Sequence, residues 1–457
     1  MALDSSHRHL TPLAGMKHSF SDAKQFVAKL NLIEQQINQK QLREAAQELN
    51  LLAKTASNDP RIYLLGSRLA EVANNPDGML RAARKAHQLA PQWPAAAIHL
   101  AFVLASRGEA EEAMASASLA IHEATTLGSL DAGLLNKAAS AAQMLGHYQE
   151  ALAWLFQAED MDPSDTSTRY KIGLTLISNG DFAGAVDRLT PLLAHQPNNV
   201  SVLHARMHAF LGAKNLELGI QDGEAILAQD PSNADVPFYL AIARGETPKT
   251  QPESVILGLF DSSADRFDRH LVVQLKYKLP RDVAQMIHAW HPDRKGDVLD
   301  LGCGTGLLGA CLGPIDGVLV GVDLSGQMIE KAARHKVYDS FHRVNLLDAL
   351  QATPDNLYHV ITALDVLIYV GSLDEVIPNV YRILQVGGRF VFSCEVGADD
   401  AADFALQSTY RYSHQRSYVR GLLDATGFKD IEIEDRVLRY ESNLPVQGFL
   451  VTARKMA

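Results

Sequence analysis

The chain has 457 residues, 47% of them hydrophobic and 21% charged, enough to bury more than one core and too apolar for wholesale disorder. Its formal net charge is −11, with 21 basic and 27 acidic residues over 1–254 and 21 and 26 over 255–457. Neither half has the basic excess that binding a phosphate backbone demands, so nucleic acid is not an expected partner. Three cysteines, Cys303, Cys311 and Cys394, are too few and too scattered for a disulfide framework or a zinc site.

Residues 1–19 are polar and charged, with no apolar core of a secretory leader, and are expected to be a flexible N-terminus. No apolar run reaches the roughly 20 residues that a spanning helix requires, so no membrane contact and a cytoplasmic location are expected. Over residues 20–244 the sequence repeats. Pro163, Pro197 and Pro231 recur every 34 residues, each after a helical stretch. Ala138, Ala139, Gly146, Ala151 and Ala158 before the first proline correspond to Ile172, Gly173, Gly180, Ala185 and Leu192 before the second. The third unit keeps Gly219 and Ile226 in register, and Leu100, Ala101, Gly108, Ala113 and Ala120 repeat the pattern upstream of an insertion around Thr125–Ser129. Small residues at fixed positions let paired helices approach, proline ends the second helix, and neighbouring pairs must stack to bury their apolar faces. Period and residue types resemble the tetratricopeptide repeat (TPR) family, an all-α solenoid whose concave face recruits a protein or peptide. Arg169, Asn199 and Arg206 are candidate groove residues. The alternative is a scaffold that serves assembly only.

Residues 245–254, with Pro248 and Pro252 and no periodicity, read as a linker. From 255 to 457 the pattern alternates. Val298–Leu301, Val318–Val322, His359–Leu364 and Arg389–Ser393 read as buried parallel strands, with helices at Ser325–His335 and Leu373–Leu384 between them. The runs Asp430–Asp435 and Gly448–Ala453 read as an antiparallel hairpin at one edge. The expected fold is a doubly wound, mostly parallel α/β sheet closed by that C-terminal hairpin.

The first strand runs into Asp300-Leu301-Gly302-Cys303-Gly304-Thr305-Gly306, a glycine turn where a ligand can lie against bare backbone. A dinucleotide fingerprint needs its third glycine at 307, which is Leu307, and Asp300 would repel a pyrophosphate. That carboxylate suits the ammonium of a bound amino acid instead. Asp323, at the end of the next strand, can accept hydrogen bonds from both hydroxyls of a ribose.

Together these residues resemble the class I S-adenosylmethionine (SAM)-dependent methyltransferases, Rossmann-like enzymes, over about Phe260 to the C-terminus. The resemblance implies that Asp300, Gly302, Cys303, Gly304, Gly306 and Asp323 line the cofactor, that Met328 or Leu324 packs on adenine, and that Asn345 and Leu346 read its amino group, with Asp348 an alternative acceptor or helix cap. Asp365, after the fourth strand, is placed on the methyl-transfer side. Phe260-Asp261-Ser262-Ser263-Ala264-Asp265-Arg266-Phe267-Asp268 is similar to the lid of small-molecule and carrier-linked methyltransferases, with Phe267 where a tyrosine is usual. Tyr410-Arg411-Tyr412-Ser413-His414 precedes a helix at Gln415–Thr426. With the N-terminal repeats, these features resemble a bacterial group of predicted methyltransferases bearing TPR repeats.

Methyl transfer needs alignment of donor carbon and acceptor in a dry pocket, and a base only where the acceptor must lose a proton. His414 is the candidate base. Tyr369, Glu395, Arg411 and Tyr412 are candidate substrate contacts, with Arg411 and Arg416 suited to an acidic acceptor. No carboxylate set for a catalytic metal is evident. Three classes of function follow: a methyltransferase whose repeats recruit a protein, peptide or carrier-bound acceptor, a small-molecule methyltransferase with repeats for assembly only, and a non-catalytic SAM-binding protein.

Overall fold

The computed structural model describes residues 24–261, 277–397, 402–407, 409–441 and 444–456. It divides into two compact units, Met1–Gln229 and Asp230–Ala457. The stretch 1–19 lies outside the described residues.

The described part of the first unit is a succession of helical hairpins: Lys24–Asn38 with Leu42–Thr55, Pro60–Val72 with Pro76–Leu89, Pro94–Ser106 with Ala110–Thr126, Ala132–Met144 with Tyr148–Met161, Thr166–Ser178 with Phe182–His195, and Val200–Gly212 with Leu216–Gln229. This is a TPR-like solenoid. The repeated alanines Ala113, Ala120, Ala138, Ala139, Ala151, Ala158 and Ala185 are completely buried, which is the close helix approach their size allows. A Cβ added at Gly173 would stand 2.6 Å from a Leu189 methyl.

Each hairpin turns at one residue with left-handed backbone: Lys40, Asn74, Gly108, Gly146, Gly180 and Lys214, with φ of 58°, 51°, 73°, 78°, 83° and 62°. These positions are 34 residues apart except for the step from Gly108 to Gly146, lengthened by the 17-residue helix Ala110–Thr126. The glycine that marks the turn in three hairpins is replaced in the others by Lys40, Asn74 and Lys214, which hold the same conformation. The candidate groove residues bond within the helical stack, Arg169 to the preceding hairpin and Arg206 and Asn199 within their own. Arg169 bonds Glu159 and the Pro163 carbonyl, Arg206 grips both oxygens of Asp222, and Asn199 caps the helix that follows it.

Among the described residues the second unit is built on a nine-stranded sheet: β1 (Val298–Leu301), β2 (Leu319–Asp323), β3 (Ser340–Arg343), β4 (Tyr358–Ala363), β5 (Leu384–Val396), β6 (Phe404–Leu406), β7 (Tyr412–His414), β8 (Phe428–Glu441) and β9 (Leu444–Lys455). The order runs β3-β2-β1-β4-β5, all parallel, and β9 joins antiparallel to β5 with β8 outside it. This is the Rossmann-like, doubly wound sheet with its C-terminal antiparallel hairpin. Alternation along the strands sorts the two faces. Leu299, Leu301, Val322, Ile361 and Phe392 pack in one core with Leu350, Val376, Val380, Val419 and Leu423. Val298, Leu319, Val360 and Val391 pack in the other with Val283, Ile287, Leu308 and Leu312. With both faces covered, all four residues of β1 are buried.

The short β6–β7 hairpin was not expected. It extends the sheet where Glu395 and Val396 of β5 pair with Ser413 and His414. The proline-bearing segment before the sheet is stitched to this region. Gly371 and Ser372 donate to the Lys249 carbonyl, Gln251 N–H donates to the Tyr369 carbonyl, and the Tyr412 hydroxyl donates to the Pro248 carbonyl. Among the described residues, no helix is long and apolar enough to cross a membrane.

Candidate functional site

β1 lies between β2 and β4, so the chain leaves it in opposite directions, and the crevice beyond such a switch is where open α/β sheets take ligands. The glycine turn sits at that point. Gly302, Gly304 and Gly306 have φ of 66°, 53° and 81°, a region that side chains disfavour. A Cβ at Gly302 would approach a Val366 methyl to 2.4 Å, and one at Gly306 would come within 2.9 Å of the Ala332 backbone. Bare peptide is therefore needed for the turn to close against Val366 and Ala332.

Asp323, half-buried at the end of β2, holds the turn: its Oδ2 accepts from Gly304 N–H at 2.8 Å and its Oδ1 from Ser325 N–H at 2.9 Å. An ionised carboxylate only accepts hydrogen bonds, and the hydroxyls of a sugar diol can donate them. Cys303 is buried beside it, its N–H bonded to the Val322 carbonyl and its thiol pushed well up by desolvation, next by Asp300 and Asp323.

Asp300 is differently placed from what its position in the sequence suggests. It is buried, its Oδ2 accepts from the Tyr338 hydroxyl at 2.7 Å, and its Oδ1 accepts from Thr362 Oγ1 at 2.8 Å. Burial pushes its carboxyl up to about 6 against the pull of those two bonds. It thus acts as an internal anchor: Tyr338 also accepts from Gly309 N–H, tying the strand's end to the helix after the turn. Nothing in the local sequence around Tyr338 announces this, since the bond spans 38 residues.

On the other side of β2, Ser325 caps the helix Gly326–Ala333 through Met328 N–H, and Met328 itself is buried. Asn345 caps the helix Leu346–Ala352, its Oδ1 accepting from Leu347 N–H at 2.8 Å, so the cap is Asn345 and not Asp348. Leu346 is buried and Leu324 half-buried. Leu324 packs with Ile256, Ile368 and Tyr369, so the helix Glu253–Asp261 reaches residues following both β2 and β4. The lid-like motif continues from that helix through Ser262, Ala264, Phe267 and Asp268, which lie outside the described residues.

The ends of β4 and β5 carry a buried ion network. Asp365, with a left-handed φ of 57°, follows β4 and Glu395 is near the end of β5. Both carboxylates bind Arg439 of β8, which also bonds Glu441 at 2.8 Å. Arg411 grips both oxygens of Glu441 at 2.6 and 2.7 Å and stands 3.6 Å from Glu395. Arg439, flanked by Leu438 and Tyr440 in an edge strand, escapes a reading of the sequence, since Arg436 in the same strand is a second arginine and nothing local separates the two.

This arrangement revises the expected substrate contacts. Arg411 is committed to Glu441, Arg416 is paired with Asp435, and the buried Tyr412 bonds Pro248. Tyr369 is buried under Ile256 with its hydroxyl pushed far up by desolvation. His414 is fully buried, its Nε2 hydrogen-bonded to the carbonyls of Val370 and Gly371 at 3.0 and 2.9 Å, and burial lowers it to about 4. A neutral imidazole donating into the loop after β4 positions that loop, and the general-base expectation gives way to this structural one.

Comparison with known proteins agrees with this geometry. Residues 299–390 match the family model described as a methyltransferase domain. The chain is 30% identical over 149 residues to a demethylmenaquinone methyltransferase of Symbiobacterium thermophilum, covering 31% of this chain and 59% of that protein. It is 26% identical over 126 residues to a ubiquinone biosynthesis O-methyltransferase of Pseudomonas savastanoi pv. phaseolicola, covering 26% of this chain and 54% of that protein. The chain thus spans between half and two thirds of the length of these curated relatives. Among solved structures, YrrB, a TPR protein with an unusual peptide-binding site, matches with a TM-score of 0.35 at 16% identity, covering 43% of this chain and 97% of that one.

Proposed function

We propose, from the methyltransferase domain that residues 299–390 match, that the second unit transfers a methyl group from SAM to an acceptor that the repeats help to recruit. The observation that carries the reading is the glycine turn closed onto Asp323: bare peptide at the end of β1 with a carboxylate bonded to it at 2.8 Å. In this reading Gly302, Gly304 and Gly306 leave room along the turn, Asp323 holds the ribose, Leu324 and Met328 pack beside adenine, and Asn345 and Leu346 lie at its edge. Asp365 stands on the side where transfer occurs.

When bound, SAM supplies a methyl group on a cationic sulfur, transferable in one in-line displacement. What the chain contributes is alignment and dryness. Asp300 fixes the turn from inside. Tyr369, Ile256 and Leu324 keep water from the mouth, and the loop after β4 is held by His414 and by the Lys249 and Gln251 bonds. Recruitment by the repeats is supported by the stack of helical hairpins, an architecture that presents an extended binding face.

Calorimetry with SAM and with NADH tests the cofactor: micromolar binding of SAM and none of NADH is expected, and the reverse would end the reading. Incubation of full-length protein with methyl-labelled SAM and an extract lacking the protein tests recruitment. Label in macromolecular material supports it, and label confined to small molecules reduces the repeats to assembly.

A further inference from the structure

The network at the ends of β4 and β5 contains three carboxylates, Asp365, Glu395 and Glu441, and two guanidiniums, Arg439 and Arg411. Its members are bonded to one another, and one negative charge is left over. The network adjoins the glycine turn: Val366, the residue after Asp365, is what a Cβ at Gly302 would strike. Buried Tyr277 lies in the fields of Asp365, Arg439 and Asp300 together, so turn and network share one electrostatic environment.

Resting on the SAM reading, we propose that this network is a charge filter, in which three carboxylates gathered around two guanidiniums at the reacting side make the site prefer a cationic centre and reject anionic acceptors. Burial is what gives the filter its strength. Arg439 and Asp365 are shielded from solvent, with side-chain exposures of 2% and 16%, where salt screens little and a surplus charge is felt over several ångströms. Arg439 is the positioning residue. It touches neither reactant, but without it two carboxylates facing each other could not both remain charged. All three guanidinium nitrogens of Arg439 are bonded to carboxylates and both terminal nitrogens of Arg411 grip Glu441, so neither arginine presents its terminal nitrogens to a carboxylate or phosphate acceptor. The acceptor class that fits is a nucleophile that arrives neutral or cationic, such as an amine, a phenol or an activated carbon.

The cofactor and its demethylated product, S-adenosylhomocysteine, differ in one methyl group and one positive charge, which makes the pair a direct probe. Calorimetry on the full-length protein is expected to show SAM bound at least roughly tenfold tighter than S-adenosylhomocysteine, the discrimination one net charge supplies at partly buried range. The ratio should collapse toward one in Asp365→Asn and in Glu395→Gln. Glu441→Gln, whose side chain is one-third exposed, guards against failure of the other two to fold, and thermal unfolding of each variant confirms the native state. A wild-type ratio near one, or an unchanged ratio in every folded variant, overturns the filter while leaving the cofactor reading intact. If neither molecule binds the wild type, the cofactor reading falls and takes the filter with it. The acceptor is tested with methyl-labelled SAM and extract: label that survives mild base supports the proposal, whereas label released by base as methanol identifies a carboxylate acceptor and overturns it.

Discussion

The two units use left-handed backbone and buried small residues for opposite ends. In the first, Lys40, Asn74, Gly108, Gly146, Gly180 and Lys214 take the same conformation, and glycine, asparagine or lysine will do. Each position sees only its own hairpin and the next, so no single one is indispensable. In the second, Gly302 is hemmed by Val366 from a segment 64 residues away, and the turn it opens is held by Asp323. Repetition spreads a task over many replaceable positions, whereas a site concentrates it where several distant segments meet. That asymmetry can be broken by experiment.

The largest effect is expected from paired glycine substitutions. Gly302→Val places a branched side chain against Val366 in a left-handed turn and should lower SAM affinity more than about 100-fold in calorimetry, through strain and lost space together. Gly173→Val meets Leu189 at a similar 2.6 Å but should cost only about 1–3 kcal/mol of overpacking in the first unit, with SAM affinity unchanged. Equal loss of binding in both variants would show that the units are not independent in the way proposed. Asp323→Ala comes next. It removes the acceptor for Gly304 and Ser325 N–H as well as the proposed ribose contact, and charged hydrogen bonds of about 1.5–3 kcal/mol each imply a 10- to 100-fold weaker SAM affinity. Undiminished affinity would remove Asp323 from the site.

How far the sequence reveals each unit follows from the same contrast. Periodicity exposes the solenoid because its contacts lie about one repeat apart, and the glycine that marks the turn is missing at Lys40, Asn74 and Lys214, where the same conformation is kept without it. In the sheet, the turn and Asp323 are legible because strand and loop are continuous in the chain. Arg439 is not, because its partners Asp365 and Glu395 are 74 and 44 residues away. Tyr338 escapes for the same reason, as do the hydrogen bonds that commit Arg411 and His414. Residue type indicates what a side chain can bond, and only the fold decides which partner reaches it first.

Tyr338→Phe sharpens this point with a pH signature. Burial raises the Asp300 carboxyl to about 6, so the folded state holds that proton more tightly than the unfolded chain. The stability this group contributes is therefore complete below the unfolded value near 3.9 and is lost as pH rises through about 6. The Tyr338 hydroxyl bond favours the anion, and its removal moves the carboxyl higher still and widens the loss. Thermal unfolding of the second unit should show Tyr338→Phe destabilised by about 1–3 kcal/mol at neutral pH and by less near pH 4. A deficit independent of pH would mean that the hydroxyl serves Gly309 N–H alone.

The smallest effect has its sign set by two opposed terms. Lys214 holds φ at 62° in a turn where three of its counterparts are glycine. A left-handed conformation costs a side-chain-bearing residue about 1–2 kcal/mol, which Lys214→Gly would relieve. Glycine also loosens the unfolded chain, at a cost of about 0.4–1 kcal/mol. Relief exceeds cost, and the variant should be more stable by up to about 1 kcal/mol with SAM affinity unaltered. The reciprocal Gly146→Ala, where φ is 78° and no neighbour lies within 4 Å of the added Cβ, should lose stability by a similar amount, since only backbone strain distinguishes the two residues there. If Lys214→Gly were instead destabilising, a native contact of the lysine side chain would outweigh the strain, and the turn positions would not be interchangeable after all.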